Sequence, residues 1–423
     1  MDIKTVESSL VKDKYYVLNH PSGLTIYVYP KEGYKSAYAI FGTKYGSVNT
    51  RFKIDGGEEI TVPDGIAHYL EHKLFESEDG DAFARYAKTG ANANAYTSFE
   101  KTCYLFSCTD KFEESLEILL DFVQSPYFTA ETVAKEQGII GQEIKMYDDS
   151  PNWRVMFNTL VGMYHKHPVR IDIAGTVESI AEITAEKLYE CYNSFYNLNN
   201  MVLCVAGNVT VEQVLSVADR LLKPNEKHVI ENFFEDEPYE VAEKYVEQKF
   251  PVTIPMFYLG FKENIGSSAA TSKQLAYTDI LLNILASPSS KLYNQLMDKG
   301  LINESFSYEY MEGPNYAAVL FGGESRNPKQ AAEFIKDAVR DIKQNGIDKE
   351  AFELAKRSVY GNTISSFNSN ENIANTLVDM HFNDRTIFDY VDAVADASVE
   401  DIEKRLTEIL DPDNCTLSVV TGE

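Results

Sequence analysis

The order of apolar and polar positions along the chain follows two different periods. Short apolar or alternating runs, typical of strands, occur at 24–29 and 104–107. Longer segments with apolar residues three and four positions apart, typical of helices, occur at 112–123 and 329–344. The two kinds of segment follow each other irregularly rather than in strict alternation. The pattern therefore predicts an α+β fold and argues against a doubly wound parallel sheet.

The second half of the chain repeats a pattern of the first half. Thr184 begins a helical segment that leads to an apolar strand ending at Gly207, and Ser398 begins the same order of segments, which ends at Gly422. The two copies lie about half a chain length apart, which is typical of an internal duplication. A chance likeness of two helices with Ser or Thr caps is the alternative.

The repeat predicts two homologous α+β sandwich units. A polar segment with a proline and many acidic residues lies between the two copies and is typical of a linker. We therefore expect a first unit over 1–225, a linker over 226–243 and a second unit over 244–423.

The net charge of the chain indicates which kinds of molecule it can bind. Its 423 residues include 39 Lys and Arg against 65 Asp and Glu, a formal net charge of −26. Such a charge opposes binding to nucleic acid and to anionic membranes, and it favours basic peptides as charged partners. A charge that serves solubility alone is the alternative.

The cysteines and the apolar runs indicate the cellular compartment in which we expect the protein. The five cysteines are scattered and include no C-x-x-C pair; they are Cys103, Cys108, Cys191, Cys204 and Cys415. No apolar run approaches the length of a membrane span, and the first residues do not resemble a signal peptide. We expect a reducing compartment, a cytoplasmic protein and no membrane partner.

Residues that carry chemistry cluster in the segment His-Tyr-Leu-Glu-His at 68–72. A helix that begins near 63–64 and continues through this segment places His68 and His72 on one face, where two imidazoles can bind one zinc ion. Glu71 lies beside them and can act as the base that takes a proton from water. The order H-x-x-E-H is the inverse of the commoner zinc motif H-E-x-x-H. An ordinary helix whose histidines bond to neighbours is the alternative.

A pair of glutamates follows in a segment of helical character. Glu136 and Glu143 are two helical turns apart and therefore lie on one side of that helix. One of them can bind the ion while the other orients a ligand. Exposed helix charges are the alternative explanation, above all for Glu136.

These motifs resemble the pitrilysin/insulinase family of zinc metallopeptidases, in particular its small bacterial members related to the beta subunit of the mitochondrial processing peptidase. The resemblance covers most of the chain and is strongest over 23–207. It implies that Glu143 is the third ligand of a Zn²⁺ cofactor and that Glu136 supports catalysis. It also implies an edge strand that pairs with the backbone of the substrate, formed by Asn94, Ala95 and Tyr96.

The resemblance further implies a clamshell, in which the chain and a partner chain enclose a chamber for peptides or unfolded segments. The second half departs from the family, because Met297 and Asn303 stand near the positions of an arginine and a tyrosine. We therefore expect a homologous partner chain, or a second copy, to supply these side chains, unless Tyr308 or Tyr310 substitutes locally.

The sequence thus predicts a zinc-dependent endopeptidase that processes peptides together with a homologous partner. The presence of both histidines and of Glu71 and Glu143 favours this function. A non-catalytic structural or peptide-binding subunit of the same family is the alternative, because the arginine and the tyrosine are missing.

Overall fold

The computed structural model describes residues 2–78, 80–263, 266 and 269–422, which form a mixed α+β fold of the predicted class. The strands are β1 (Asp2–Ser8), β2 (Asp13–Asn19), β3 (Thr25–Pro30), β4 (Ala37–Thr43), β5 (Arg51–Ile54), β6 (Ile60–Thr61), β7 (Glu76–Ser77), β8 (Gly80–Asp81), β9 (Asn92–Thr97), β10 (Thr102–Cys108), β11 (Met201–Gly207), β12 (Ile230–Asn232), β13 (Tyr245–Lys249), β14 (Met256–Glu263), β15 (Ser307–Gly313), β16 (Tyr316–Glu324) and β17 (Cys415–Thr421).

The helices are α1 (Ile66–Leu74), α2 (Ala82–Thr89), α3 (Phe112–Val123), α4 (Ala130–Asp148), α5 (Pro151–Met163), α6 (Val177–Ile180), α7 (Ala185–Phe195), α8 (Val211–Leu221), α9 (Ser272–Ala286), α10 (Lys291–Asp298), α11 (Pro328–Asn345), α12 (Lys349–Ser366), α13 (Asn370–Phe382), α14 (Ile387–Asp396) and α15 (Val399–Ile409). Among these described segments, no helix combines the length and the apolar character needed to cross a bilayer.

The local predictions from periodicity are confirmed to within two residues. α3 and α11 occupy the two predicted helical segments, and β3 and β10 occupy the two predicted strands. The repeated helix starts are also present, since the side chain of Thr184 caps α7 and that of Ser398 caps α15. Each of these helices leads to an apolar strand, β11 in the first copy and β17 in the second.

The chain divides into two compact units, each built from three segments. The first unit contains the chain up to residue 144 together with 172–233 and 364–388. The second unit contains 145–171, 234–363 and the chain from residue 389 onward.

This division differs from the predicted continuous units 1–225 and 244–423, because two helices pack away from their neighbours in sequence. α5 lies in the first half of the chain but packs against β13, β14 and β17, while α13 lies in the second half but packs against β3, β4 and β11. Periodicity predicts a buried helix face without indicating which sheet covers it. Part of the predicted linker over 226–243 is also a strand, since β12 pairs with β5.

The first unit contains a seven-stranded sheet in the order β1-β2-β3-β11-β4-β10-β9. Only β3 and β11 are parallel neighbours; the other pairs in this sheet are antiparallel. One face carries apolar residues such as Phe41, Tyr104 and Leu203 into a core shared with α1 and α3. The order of the strands leaves β9 at one edge of the sheet.

The second unit contains a five-stranded sheet in the order β13-β17-β14-β16-β15. Its first pair is parallel and the others are antiparallel, which is the arrangement of β3-β11-β4-β10-β9 in the first unit. The helix that packs on the two central strands also corresponds, α13 in the first unit and α5 in the second. This correspondence supports the predicted duplication.

A glycine stands on the central strand below each of these two helices. A Cβ atom on Gly42 would lie 3.3 Å from Cγ1 of Val378 in α13. A Cβ atom on Gly260 would lie 2.6 Å from Sδ of Met163 and 2.8 Å from Cγ2 of Thr159 in α5. Each helix therefore packs directly on the backbone of its sheet, and the glycine leaves the necessary space.

The cysteines form no disulfide bond. All five are buried free thiols, as expected for a protein that does not depend on a disulfide scaffold. Burial raises the pKa of Cys103 and of Cys108 to about 11, so neither thiol is a thiolate at neutral pH.

Replacing Gly260 by alanine tests the close packing of α5. Because the added Cβ atom meets two packed side chains, we expect Gly260→Ala to lower the free energy of unfolding by roughly 1–3 kcal/mol in a urea titration. The matched control is Gly138→Ala in α4, where nothing lies within 4 Å of the added atom. That variant should leave the stability unchanged or raise it by up to about 1 kcal/mol. Equal effects of the two substitutions would contradict the packing described for α5.

Candidate metal centre

α1 carries the His-x-x-Glu-His segment and is buried along almost its whole length. It begins at Ile66, slightly later than the predicted start at 63–64, because Gly65 has a φ of 86°, a left-handed conformation that a helix does not contain. A Cβ atom on Gly65 would also lie 2.3 Å from the carbonyl oxygen of Ala174. The glycine thus sets the start of the helix and lets a second segment approach it.

Two polar side chains anchor α1 to the first turn of α4. The hydroxyl of Tyr69 donates to the carbonyl oxygen of Val133, and Nζ of Lys73 donates to that of Thr132 at 3.4 Å. Nζ of Lys73 also donates to the carboxylate of Glu76. The side chain of Lys73 has no exposed surface, and a buried ammonium group needs such partners. These bonds hold α1 beside α4.

The structure brings His68, His72 and Glu143 together. Each offers a ligand atom that lies within 4.8 Å of the ligand atoms of the other two. Nε2 of His68 lies 3.7 Å from Oε1 of Glu143, and Nε2 of His72 lies 3.4 Å from Oε2 of the same carboxylate. Two imidazole nitrogens and one carboxylate oxygen form a ligand set that suits zinc and leaves a fourth position open.

The ionisation of His68 also fits a metal ion. Burial, and to a smaller extent the neighbouring His72, lowers the pKa of His68 to about 3. Its imidazole is therefore neutral at pH 7, and a neutral imidazole is the form that binds a metal. The donor set and its ionisation thus fit zinc.

Glu136 lies behind His72 and outside the group of three ligand atoms. Its Oε1 lies 3.0 Å from Nδ1 of His72, and this bond lowers the pKa of Glu136 against the opposing effect of burial. Burial also acts to lower the pKa of His72, but the bond with Glu136 and the nearby carboxylates outweigh it and raise that pKa. A carboxylate on Nδ1 fixes the tautomer that leaves Nε2 free as a ligand atom.

Glu71 is buried beside the two histidines and is not one of the three ligand residues. Its Oε2 accepts a hydrogen bond of 2.8 Å from the hydroxyl of Thr97 in β9. Burial raises the pKa of Glu71, and the bond from Thr97 partly opposes this rise. No other hydrogen bond to the carboxylate of Glu71 is found in the part of the chain that the structure describes, so Oε1 is available to take a proton.

The predicted substrate residues lie on β9, at the edge of the seven-stranded sheet. β10 pairs with one side of this strand, with Asn94 opposite Leu105, and no described strand pairs with the other side. Asn94 is exposed, and Ala95 and Tyr96 are half-buried. Unpaired backbone groups along such an edge can pair with an extended peptide.

Met297 and Asn303, at which the resemblance leads us to expect an arginine and a tyrosine, have different surroundings. Met297 lies near the end of α10 and is 36% exposed. Asn303 donates to Oε2 of Glu324 at 2.6 Å and accepts from the hydroxyl of Ser305 at 2.6 Å. The side chain of Asn303 therefore bonds locally within the second unit.

Tyr308 and Tyr310, the two tyrosines that are alternative local substitutes, lie on β15. The hydroxyl of Tyr310 donates to Oε2 of Glu263 at 2.7 Å and accepts from Nη2 of Arg405 at 3.1 Å. Arg405 also forms a two-point ion pair with Glu263. Glu263 and Arg405 are buried within the second unit, and Tyr310 is half-buried. The hydroxyl of Tyr308 has a weaker contact of 3.5 Å, with the amide of Asn283.

Sequence reasoning missed Thr97, Tyr69 and Lys73. Thr97 could have been found from the alternation of β9, because it shares a face with Ala95 and follows the predicted substrate residues directly. Tyr69 and Lys73 are one helical turn apart within α1. Their spacing predicts a shared face, but only the structure shows that this face meets the first turn of α4.

Comparison with known proteins identifies the family. The profile of the Insulinase family (peptidase family M16) matches residues 47–177, and the profile of the Peptidase M16 inactive domain matches residues 182–359. A protein of Bacillus subtilis (strain 168) with the name Uncharacterized zinc protease YmfH is 41% identical over 426 residues, which cover 99% of both chains. The chain belongs to peptidase family M16.

Other relatives of this M16 chain extend the comparison. The beta subunit of the mitochondrial-processing peptidase of Caenorhabditis elegans is 25% identical over 335 residues, which cover 74% of this chain and 70% of that subunit. The crystal structure of an M16-like peptidase from Alicyclobacillus acidocaldarius superposes with a TM-score of 0.93 at 36% identity and covers 100% of this chain and 99% of the other. The α+β fold is therefore that of M16-like peptidases.

Metal analysis tests the ligand set of this M16 chain. We expect the purified chain to hold about one zinc ion after reconstitution, and we expect His68→Ala/His72→Ala to lose it, because a single carboxylate ligand is left. Glu136→Gln should keep the fold and weaken zinc binding by about 10–100-fold, since Nδ1 of His72 loses its carboxylate partner. Elemental analysis and competition with a chelator measure both effects. Zinc retained by the double variant would exclude this site.

Proposed function

We propose that this M16 chain is a zinc-dependent endopeptidase that hydrolyses peptides or unfolded segments. The observation that carries the proposal is the convergence of His68, His72 and Glu143 around one point, with the buried carboxylate of Glu71 beside them. Relatives that bear the name zinc protease support zinc as the ion. His68, His72 and Glu143 would hold it.

In the proposed reaction, the ion and the side chains of the chain have different roles. A zinc ion with three protein ligands supplies a Lewis acid that polarises the scissile carbonyl and makes a water molecule more acidic. Glu71 takes the proton of the attacking water at Oε1 and passes it to the leaving amine. Thr97 holds Oε2 of Glu71 and thereby orients the carboxylate, while Glu136 holds the ring of His72.

The substrate would bind by adding a strand to the sheet. In this proposal the free edge of β9 at Asn94, Ala95 and Tyr96 pairs with the backbone of an extended peptide. Main-chain pairing of this kind requires an extended segment, which favours peptides and unfolded chains over folded proteins. The net charge of −26 favours basic peptides among them.

We propose further that a homologous partner chain, or a second copy, completes the site and closes the clamshell. The likeness to a subunit of the mitochondrial-processing peptidase supports a partner. The composition of the second half also supports it, because Met297 and Asn303 provide no cationic or phenolic side chain. Tyr310 is engaged with Glu263 and Arg405, which makes a local substitution by its hydroxyl less favourable.

A non-catalytic subunit is the second candidate function. The match of residues 182–359 to an inactive-domain profile favours it, as does the missing pair of side chains. The presence of the three ligands together with a base held by Thr97 favours the enzyme, since a scaffold does not require that geometry. Variants of the base discriminate between the two.

We expect Glu71→Gln to abolish peptide hydrolysis without loss of zinc or of the fold. The loss should be at least about 10²-fold in kcat, because a positioned general base contributes that much or more. Zinc content, circular dichroism and hydrolysis of a quenched fluorescent peptide are the measurements.

Thr97 supplies the matched controls for this experiment. Thr97→Ser keeps a hydroxyl for Oε2 of Glu71 and should retain most of the activity, whereas the isosteric Thr97→Val removes the hydroxyl and should lower kcat. Release of zinc by Glu71→Gln would show that the roles of Glu71 and Glu143 are assigned incorrectly. Unchanged hydrolysis in Glu71→Gln would contradict the proposed reaction.

The chain alone should be a poor peptidase that gains activity when it is mixed with a homologous partner carrying an arginine and a tyrosine in its second half. One missing oxyanion donor typically lowers turnover by about 10²–10³-fold, while zinc binding is unaffected. Titrating the partner into the zinc-loaded chain and measuring kcat checks this expectation. Full turnover of basic and neutral peptides by the isolated chain would contradict it.

A further inference from the structure

α13 holds the strand that is proposed to pair with substrate. The hydroxyl of Tyr96 in β9 donates to Oδ1 of Asn375 at 2.9 Å. Nδ2 of Asn375 donates to the hydroxyl of Tyr38 at 3.3 Å and to the carbonyl oxygen of Glu371 at 3.0 Å. The oxygen and both amide hydrogens of Asn375 are thus engaged, which determines the orientation of its side chain.

A second contact lies one helical turn further along α13. Asp379 forms an ion pair with Lys101, which belongs to the turn between β9 and β10. Within that turn the backbone N–H of Ser98 donates to the carbonyl oxygen of Lys101 at 2.8 Å, and the hydroxyl of Ser98 accepts from the backbone N–H of Lys101 at 3.3 Å. α13 therefore contacts both the end of β9 and the turn that follows it.

These contacts matter because β9 is an edge strand. A central strand is held by hydrogen bonds on both sides, whereas β9 has only β10 as a described neighbour in the sheet. A free edge that moves must lose that motion when a peptide pairs with it, and this ordering weakens binding. Side chains of β9 that bond to a packed helix reduce the motion beforehand.

We infer that Asn375 and Asp379 are positioning residues, which hold the free edge of β9 in the geometry that an extended peptide substrate requires. The inference rests on the proposed peptidase function of the chain. It assigns a role in substrate binding to α13, a helix from the far end of the sequence. Within the described residues, α13 forms no hydrogen bond with Glu71 or with the three ligand residues. The other face of β9 is held separately, through the bond from Thr97 to Glu71.

Binding of a labelled peptide tests the inference. The probe is a fluorescein-labelled peptide of about ten residues with two arginines, added to the zinc-loaded full chain in the Glu71→Gln background so that it is not cleaved. We expect Tyr96→Phe, Asn375→Ala and Asp379→Asn each to raise the Kd by about threefold to tenfold in fluorescence anisotropy. Tyr96→Phe and Asn375→Ala break the same bond. The Kd of the double variant should therefore be no higher than that of the single variant with the larger effect.

Tyr27→Phe is the matched control on the same helix. The hydroxyl of Tyr27 lies 3.2 Å from Nδ1 of His381 in α13, but Tyr27 belongs to β3, which three strands separate from β9. This variant should bind the peptide like the parent chain. In the chain with native Glu71, the Tyr96 and Asn375 variants should raise KM and leave kcat and zinc content unchanged. If the bonds to α13 served only the stability of the fold, Tyr27→Phe would raise the Kd as much as Tyr96→Phe does.

Two results would overturn the inference while the proposed function stands. One is an unchanged Kd in both Tyr96→Phe and Asn375→Ala, and the other is an equal rise of the Kd in Tyr27→Phe. Failure of the proposed function has a different result. The parent chain with Glu71→Gln, in which the bonds between α13 and β9 are intact, would then bind no peptide although it holds zinc. The inference would fail together with the proposed function.

Discussion

The distance between α1 and α4 determines whether the chain can bind a metal ion at all. α1 supplies two imidazoles and α4 supplies the carboxylate of Glu143, and the bond that joins the two helices at the site links residues 64 positions apart in sequence. Metal coordination tolerates displacements of only a few tenths of an ångström. Tyr69 and Lys73 hold α1 to the first turn of α4, so bonds remote from the ligand atoms maintain the distance between them.

The concentration of carboxylates around two imidazoles has an electrostatic cost. Burial raises the pKa of Glu71 and lowers that of His68, so both groups are shifted towards their neutral forms. Glu136 has His72 as its partner, and the buried ammonium of Lys73 has Glu76. A divalent cation held by Glu143 and the imidazoles would compensate the negative charge that remains. Metal binding and stability are therefore coupled, since an ion that binds only the folded state stabilises that state.

What the sequence predicts well is local, and what it misses depends on tertiary packing. The helix through His68 and His72 follows from spacing within a few residues, and the repeat around Gly207 and Gly422 predicts corresponding strands. The exchange of α5 and α13 between the two sheets could not be predicted, because an apolar helix face is compatible with either sheet. α1 begins later than the spacing predicts, because Gly65 has a left-handed conformation, and the absence of a Cβ atom at Gly65 leaves room for the carbonyl oxygen of Ala174, which is distant in sequence. The partners of Thr97, Tyr69 and Lys73 are likewise distant in sequence.

The packing of α13 on the sheet of the first unit places this helix where it can support the edge strand β9. β9 has the sequence Asn-Ala-Asn-Ala-Tyr-Thr, in which small and polar residues predominate, so its own side chains contribute little packing. A more apolar edge would hold itself in place by burial, but an exposed apolar edge would also pair with other chains and aggregate. Tyr96 and the following turn instead bond to α13, which is itself packed on β4 and β11. The strand can therefore remain polar and unpaired while a helix from the other half of the sequence fixes its position.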